Sequence, residues 1–272
     1  MNNKKTITGV IITLLLSIFV VFYNADFKAD KFIPTAMEMV GMDKSEVGKT
    51  VKDKPKQNVK GFENVAKTGI ITAEDVPTYT GEKNFMINNN KSGFTDTEIN
   101  QAKTGNGRVQ YGQLTDYNRI TTANAVLTNA YYRGSKDRGS IPQNISPAGF
   151  KNKKVDNAYI YNKSHLIGYA MAQDETNNIV NLITGTRDFN ADRTWGMLAY
   201  ETPVQEYLKE TKSARVLYQV TPIYTGKNII ATGVQMRAKS LDTNDIDYNV
   251  FIYNVQDNIT INYETGTSTL AK

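Results

Sequence analysis

The chain contains a single histidine, His165, in the segment Asn162-Lys163-Ser164-His165-Leu166-Ile167. Histidine is the side chain whose unperturbed pKa lies closest to neutral pH, so it is a frequent general base in enzymes. An enzyme built on this sequence therefore has one imidazole for proton transfer. A lone histidine is more often structural or merely exposed, so the residues that follow it must decide between these interpretations.

Two asparagines and a glutamate follow the histidine in the order Asn181, Asn190 and Glu201. An asparagine side chain cannot exchange protons, but its carbonyl oxygen is a good neutral ligand for a hard cation. A magnesium ion that keeps most of its waters needs only one or two protein oxygens, because the phosphates of a substrate supply further ligands. One imidazole and one magnesium ion held by an asparagine would suffice to hydrolyse a phosphodiester bond.

The composition narrows the possible chemistry. The chain has no cysteine, which excludes disulfides, thiolate metal sites and cysteine nucleophiles. With one histidine, a zinc site of several histidines is excluded too, so a metal must be held mainly by oxygen, which favours Mg²⁺, Ca²⁺ or Mn²⁺. The 272 residues carry a formal net charge of +5. This charge is compatible with a nucleic acid or a wall polymer as partner, but many basic proteins have neither.

The N-terminus has the pattern of a targeting segment. Lys4 and Lys5 precede an apolar run that ends at Tyr23 and is at the short limit for a membrane span. No small-residue cleavage site closes the run, so residues 1–25 are interpreted as a signal anchor in preference to a signal peptide. We expect residues 26–78 to form a polar extracellular tether and residues 79–272 to form one domain. This domain would be membrane-anchored or secreted, outside the cytoplasm of a Gram-positive-like cell.

The segment around the histidine is predicted to contain two strands followed by helices. The first strand covers residues 158–167 and carries His165 near its end, and the second covers residues 178–184. Residues 193–201 are predicted to be helical. A further helix would begin directly afterwards, because Thr202 can cap it and the next residue is a proline suited to a first helical position.

Elsewhere the pattern predicts an α+β fold with a mixed or antiparallel sheet. Residues 121–132 are predicted to form a helix and residues 136–150 a loop. The C-terminal part is rich in predicted strands, and a turn at Asp257-Asn258 favours a hairpin between the last two. These strands cover residues 215–224, 229–238, 248–255 and 259–263.

With these residues in this order, the sequence resembles the DNA/RNA non-specific endonucleases of the ββα-metal (His-Me finger) type, in particular the streptococcal membrane nucleases and secreted streptodornases. Family members carry a tetrapeptide that ends in histidine before a hydrophobic pair, and Asn162-Lys163-Ser164-His165 fills that place. The family's metal asparagine corresponds to Asn190, and its helical glutamate, which holds a metal-bound water, corresponds to Glu201. The resemblance covers residues 111–263 and implies that helices surround a central ββα-metal finger.

The sequence departs from the family pattern in the histidine motif. Asp137-Arg138-Gly139-Ser140 looks like the family tetrapeptide with serine in place of histidine, and we interpret it as a decoy because it lies in a predicted loop. The segment that does end in His165 lacks Asp-Arg-Gly, so a side chain that could orient the imidazole is missing. A backbone carbonyl could orient the ring instead.

The spacing of the two metal-related residues sets a structural condition. On one continuous helix, Asn190 and Glu201 would be roughly 16 Å apart, which is too far to share one ion. Both can serve one metal only if residues 191–194 fold back. Glu206 and Glu210 are alternatives to Glu201, although both fit better as solvated helix charges.

The resemblance implies a metal-dependent endonuclease that cleaves single- and double-stranded DNA, and RNA as well, without sequence preference. His165 would be the base, Asn190 would hold Mg²⁺ or Mn²⁺ as a substitute, and Asn181 would support the metal site from behind. Glu201 would orient metal-bound waters. Several cations could hold the phosphates, since cationic side chains supply most sequence-independent affinity. These are Arg187, within the motif and assigned to the catalytic group, and Lys163, Arg133 and Arg193.

Two other functions remain open at this point. An inactive homologue that captures DNA at the cell surface for uptake is suggested by the altered tetrapeptide. A wall-polymer binding module is suggested only by the charge and the targeting segment. Cleavage of plasmid DNA would distinguish the nuclease from both.

Overall fold

The computed structural model describes residues 69–133, 140–155 and 157–271. The predicted targeting segment and most of the predicted tether lie outside the described residues, as do the first three residues of the decoy tetrapeptide. The folded domain begins earlier than predicted. Ile71 is buried, and the carbonyl of Gly69 accepts hydrogen bonds of 2.6 Å from the side chains of Gln235 and Asn249. Within the described ranges, no helix is both long and apolar enough to cross a bilayer.

An antiparallel sheet of six strands forms the centre of the domain, in the order β1-β10-β9-β8-β3-β2. Its strands are β1 (Asn84–Met86), β2 (Arg108–Tyr111), β3 (Ala123–Thr128), β8 (Arg215–Ile223), β9 (Gly233–Ser240) and β10 (Asp247–Tyr253). The predicted α+β fold is confirmed.

Both faces of this sheet are covered, so its central strands are buried on both sides. Ala125 and Leu127 of β3 join the main core, which includes Val204 and Leu208 of the long helix α4 (Met197–Glu210). Val126 points to the opposite face, where it packs with Ala102 of helix α1 (Asp96–Lys103), since successive strand residues face opposite sides.

The predicted helix over residues 121–132 is wrong. Residues Ala123–Thr128 form β3, which is hydrogen-bonded on one side to β2 and on the other to β8. The helix was predicted from the alanines in this segment, because alanine has the highest helix propensity. Tertiary context overrides this preference, since two neighbouring strands and two covered faces are available to the segment.

The histidine segment forms a small antiparallel pair, as predicted. Strand β6 (Tyr161–His165) ends at the histidine and follows the two-residue strand β5 (Ala158–Tyr159). Its partner β7 (Leu182–Thr186) begins later than predicted, because Ile179–Asn181 form a 3-10 turn. Helix α3 (Arg187–Ala191) follows β7 directly, which completes a strand–strand–helix unit.

The predicted start of a helix at Thr202 is wrong. One helix, α4, runs through this position, and the Thr202 hydroxyl donates to the Leu198 carbonyl at 2.7 Å. Pro203 lies inside the helix, where it lacks the N–H that would bond to Ala199. The helical structure is interrupted instead between the end of α3 at Ala191 and the start of α4 at Met197.

The C-terminal strands are predicted approximately, but the hairpin between the last two predicted strands is wrong. Strand β10 already has neighbours on both edges, β9 and β1. Strand β11 (Ile259–Ile261) therefore pairs with β12 (Ser268–Leu270), and the turn at Asp257-Asn258 closes only an isolated bridge between Gln256 and Ile259. The described part of the predicted loop, residues 140–150, contains neither helix nor strand.

Candidate active site

An open cavity of about 470 Å³ lies where β6, α3, α4 and the short helix α2 (Tyr169–Ala172) meet. Four residues singled out by the sequence line it together: Lys163, His165, Asn190 and Glu201. Its other lining residues are Ile141, Asn162, Gly168, Tyr169, Ala170, Ala191, Leu198 and Gln205. The cavity therefore brings together the predicted base, the predicted metal asparagine and the glutamate predicted to orient metal-bound water.

His165 is the last residue of β6 and is half-buried at the cavity. Its Nε2 atom lies 2.9 Å from Oδ1 of Asn177, so the partner of this nitrogen is a side-chain amide in place of the predicted backbone carbonyl. Because a carbonyl oxygen can only accept, this contact favours the tautomer with the proton on Nε2. The neutral ring then has its lone pair on Nδ1.

Asn181 is fully buried, and its amide makes hydrogen bonds to backbone groups of two segments. Its Oδ1 accepts from the Ile167 N–H at 2.9 Å, and its Nδ2 donates to the Ile167 and Thr176 carbonyls at 3.0 Å each. Asn181 does not line the cavity. Its hydrogen bonds join the segment after His165 to the turn that carries Asn177.

Asn190 reaches the cavity because the chain reverses direction directly after α3. The carboxylate of Asp192 accepts from the N–H groups of Thr194 at 2.7 Å and Trp195 at 3.0 Å. Burial would raise the pKa of Asp192, but the hydrogen bonds from Thr194 and Trp195 outweigh it and lower the pKa. The turn also requires Gly196, since a Cβ there would lie 2.5 Å from the Asp188 carbonyl oxygen. The condition that residues 191–194 fold back is thus met.

Glu201 lies in the second turn of α4 and is half-buried at the cavity. It approaches the backbone of Gly168 closely, because a Cβ at that glycine would lie 3.2 Å from the Glu201 Oε2 atom. Behind it lie the buried tyrosines Tyr218 and Tyr248. Burial raises the pKa of both well above the usual value, and the negative charge of Glu201 adds to the shift. Both phenols therefore remain neutral.

The two glutamates considered as alternatives to Glu201 do not reach the cavity. Glu206 and Glu210 are exposed on α4 and do not line it. Gln205, one turn after Glu201, does line it. Residues four apart lie on the same face of a helix. From the position of Glu201, Gln205 could therefore have been predicted to line the same cavity. Asn177 and Tyr169 were also missed, because no local pattern distinguishes them from other polar and core residues.

The predicted phosphate-binding cations are dispersed. Lys163 lines the cavity, and its ammonium lies 3.4 Å from the Gln143 carbonyl oxygen. Arg133 is exposed, and its guanidinium donates to the Ala130 and Tyr132 carbonyls at 3.3 and 3.4 Å. Arg187 and Arg193 are exposed and do not line the cavity. Of the four cations, only Lys163 is brought to the predicted base.

The donor atoms of the cavity fit a hydrated hard cation. The amide oxygen of Asn190 and the carboxylate of Glu201 are both oxygen donors at one cavity. Among the described residues, no group of three or more histidine, aspartate or glutamate side chains could hold a metal ion. A small number of oxygen donors suits Mg²⁺, which keeps several waters and binds to one or two protein groups plus phosphate.

Comparisons with known proteins agree on one family. The sequence model of the DNA/RNA non-specific endonuclease family matches residues 97–242, more than half of the chain. A curated relative, the deoxyribonuclease of Streptococcus dysgalactiae subsp. equisimilis, is 32% identical over 117 residues, which are 43% of this chain and 35% of that protein. The match thus spans about a third of the relative's length.

Solved structures show the same similarity. NucA from Streptococcus agalactiae with a magnesium ion bound is 27% identical, with a TM-score of 0.59 over 68% of this chain and 85% of that chain. The metal-free structure of NucA is 26% identical, with a TM-score of 0.60 over 72% of this chain and 91% of that chain. The Sda1 nuclease with bound zinc, 24% identical with a TM-score of 0.52 over 58% of this chain and 80% of that chain, shares the fold.

Proposed function

Because the chain belongs to the family of DNA/RNA non-specific endonucleases, we propose that it is a metal-dependent endonuclease that hydrolyses DNA and RNA without sequence preference. The observation that carries this proposal is the single cavity lined by His165, Asn190 and Glu201. Lining one cavity, His165 would act as the general base, and Asn190 and Glu201 would supply oxygen donors for a cation. This combination is sufficient for hydrolysis of a phosphodiester bond.

Each side chain has a defined task in the proposed reaction. Nδ1 of His165 accepts the proton of the attacking water, while Asn177 holds the proton on Nε2. Asn190 would hold the cation, and Glu201 would orient its waters. When bound, the cation would neutralise charge on the phosphate and on the leaving oxygen. Lys163 would attract the phosphate to the cavity, and no residue in this scheme reads a base.

Magnesium is the proposed cofactor, with manganese as a substitute. The oxygen donors of the cavity support it, because hard cations prefer such ligands. The magnesium ion in the NucA structure supports it as well. We also propose that the enzyme works outside the cytoplasm, anchored by its N-terminal segment or secreted. This location rests on the two lysines and the apolar run at residues 1–25.

The proposed function can be tested with supercoiled plasmid. The purified full chain should convert it to nicked and then fragmented DNA in the presence of Mg²⁺, and EDTA should stop the reaction. Sequencing of the fragment ends should show no sequence preference, and an RNA transcript should be degraded too. Retention of the plasmid on a gel without cleavage, at any concentration of Mg²⁺ or Mn²⁺, would support a DNA-capture protein instead.

Asn177 provides a test of the tautomer of His165. The variant Asn177→Ala should lower kcat by about 10- to 100-fold, because the ring loses the partner that holds its orientation. Asn177→Asp should restore the contact but place a negative charge beside the ring. A negative charge favours the protonated imidazole, so the neutral base forms only at higher pH, and the acid limb of the pH–rate profile should move upwards.

The pH–rate profile of kcat should be compared with that of Asn178→Ala, which removes the neighbouring amide. The side chain of Asn178 bonds to the Glu175 carbonyl and not to the imidazole. A profile in Asn177→Asp that coincides with the wild-type profile, together with a wild-type kcat in Asn177→Ala, would rule out the positioning role.

A further inference from the structure

A basic hairpin lies at the start of the histidine strand. It consists of β4 (Lys154–Val155) and β5, and Asn157 in its turn has a positive φ of 65°. The hairpin packs against the domain through Val155, which belongs to a hydrophobic cluster with the buried residues Ile160 and Ile230. The other described residues of the hairpin are exposed to solvent: Lys154, Asn157, Ala158 and Tyr159.

Five exposed residues on and beside the hairpin, four cations and one aromatic residue, form what we call the hairpin surface. It comprises Lys151, Lys153, Lys154, Tyr159 and the adjacent Arg187, all of them exposed. Four ion pairs join described residues elsewhere in the domain, and none of these pairs includes a cation of the hairpin surface. The surface therefore presents positive charge that the described residues do not neutralise.

Backbone hydrogen bonds fix this surface to the elements that carry the active site. The Ile160 N–H donates to the Lys153 carbonyl at 3.1 Å, and the Arg187 N–H donates to the Ile160 carbonyl at 2.8 Å. The side chain of Asn152 bonds to both the N–H and the carbonyl of Tyr161, at 2.9 and 2.8 Å. Strand β6 leads from this point to the histidine, and α3 leads to the proposed metal asparagine, so the backbone joins the hairpin surface to elements that line the cavity.

Lys154 and Tyr159 form a pair across the hairpin. They are directly opposite in the strand register, and the Lys154 ammonium lies 5.0 Å from the centroid of the Tyr159 ring. The Tyr159 residue is 54% exposed. A ring with a cation on one side and solvent access fits a nucleotide, because bases stack on aromatic side chains while ammonium groups attract the phosphates.

We propose that the hairpin surface binds a strand of nucleic acid outside the cavity, and that Tyr159 stacks on an unpaired base. This inference rests on the proposed function, because it concerns the same substrate. Stacking requires a base that is not paired within a duplex. The hairpin surface therefore favours single-stranded nucleic acid over duplex.

The test is binding of a fluorescent single-stranded oligonucleotide and of its duplex to the full chain in EDTA, where cleavage is prevented. Tyr159→Leu should weaken binding of the single strand roughly tenfold and leave duplex binding nearly unchanged. Tyr159→Phe should keep wild-type affinity, because the ring is retained. Thermal melts should match the wild type, since the substituted side chain is exposed.

The lysines are tested by the salt dependence of binding. The double variant Lys153→Gln/Lys154→Gln should reduce the slope of log affinity against log salt for the single strand by about 1.4, or about 0.7 for each phosphate contact. The control is Lys91→Gln/Lys103→Gln, which removes the same charge. Lys103 lies on α1, which packs on the sheet face opposite to α4, so the control slope should stay at the wild-type value.

The outcomes separate this inference from the proposed function. If Tyr159→Leu binds the single strand as tightly as the wild type does, or if the slopes of the two lysine variants are equal, the hairpin surface is not a binding site. The enzyme could still cleave plasmid in that case. If the variants behave as expected but the wild type cleaves nothing, the hairpin surface is a binding site for nucleic acid and the proposed endonuclease activity is wrong.

Discussion

The variant His165→Ala should cleave plasmid about 10²- to 10⁴-fold more slowly than the wild type at saturating Mg²⁺, the range that a positioned general base contributes. The chain has no second histidine that could take over the proton transfer. Neither the amide of Asn177 nor the ammonium group of Lys163 can accept a proton from water there. The measurement is kcat/KM from initial rates of nicking.

Two controls separate the loss of the base from the loss of the fold. His165→Asn keeps a polar side chain at the end of β6 but cannot act as a base near neutral pH, so it should be as inactive as the alanine variant. Binding of a single-stranded oligonucleotide in EDTA should remain at the wild-type level in both. Wild-type activity in His165→Ala would exclude the proposed mechanism.

The second large effect is expected from Asn190→Ala. It removes the side-chain oxygen that is proposed to hold the cation, so we expect activity at millimolar Mg²⁺ to fall by at least about 10²-fold. Asn190→Asp retains an oxygen donor and adds a negative charge, so the midpoint of its Mg²⁺ dependence should be at or below the wild-type midpoint. Rates measured over a range of Mg²⁺ concentrations would show both effects.

Gln205→Ala is the matched control for this experiment, because Gln205 lines the same cavity but lies one turn beyond Glu201. It should leave the Mg²⁺ midpoint unchanged. If Asn190→Ala had the wild-type midpoint and rate, the cation would have to be held by other residues.

The sequence allowed prediction of the site residues whose chemical type is rare or whose order is distinctive. His165 has no competitor in the chain, and its strand could be recognised from the aromatic and β-branched residues before it. Asn190 and Glu201 were identified by the resemblance, and their spacing predicted that the chain must turn between them. The turn itself depends on Asp192 and on the lack of room for a side chain at Gly196.

Features that depend on tertiary neighbours were not predictable. Asn177 contacts the imidazole only because the buried amide of Asn181 joins its turn to the end of the histidine strand. Residues 123–128 have a local preference for helix, and only the strands on either side make them a strand. Pro203 resembled a helix start, because local sequence does not show that the helix already began at Met197.

The central claim is that one imidazole faces a cation held by one asparagine. The most direct measurement is the anomalous difference map of a crystal soaked in Mn²⁺. We expect one ion in direct contact with the Asn190 side-chain oxygen, with Nδ1 of His165 facing it across a gap wide enough for a phosphate. An ion bound elsewhere in the domain, or an imidazole turned away from the ion, would contradict this account.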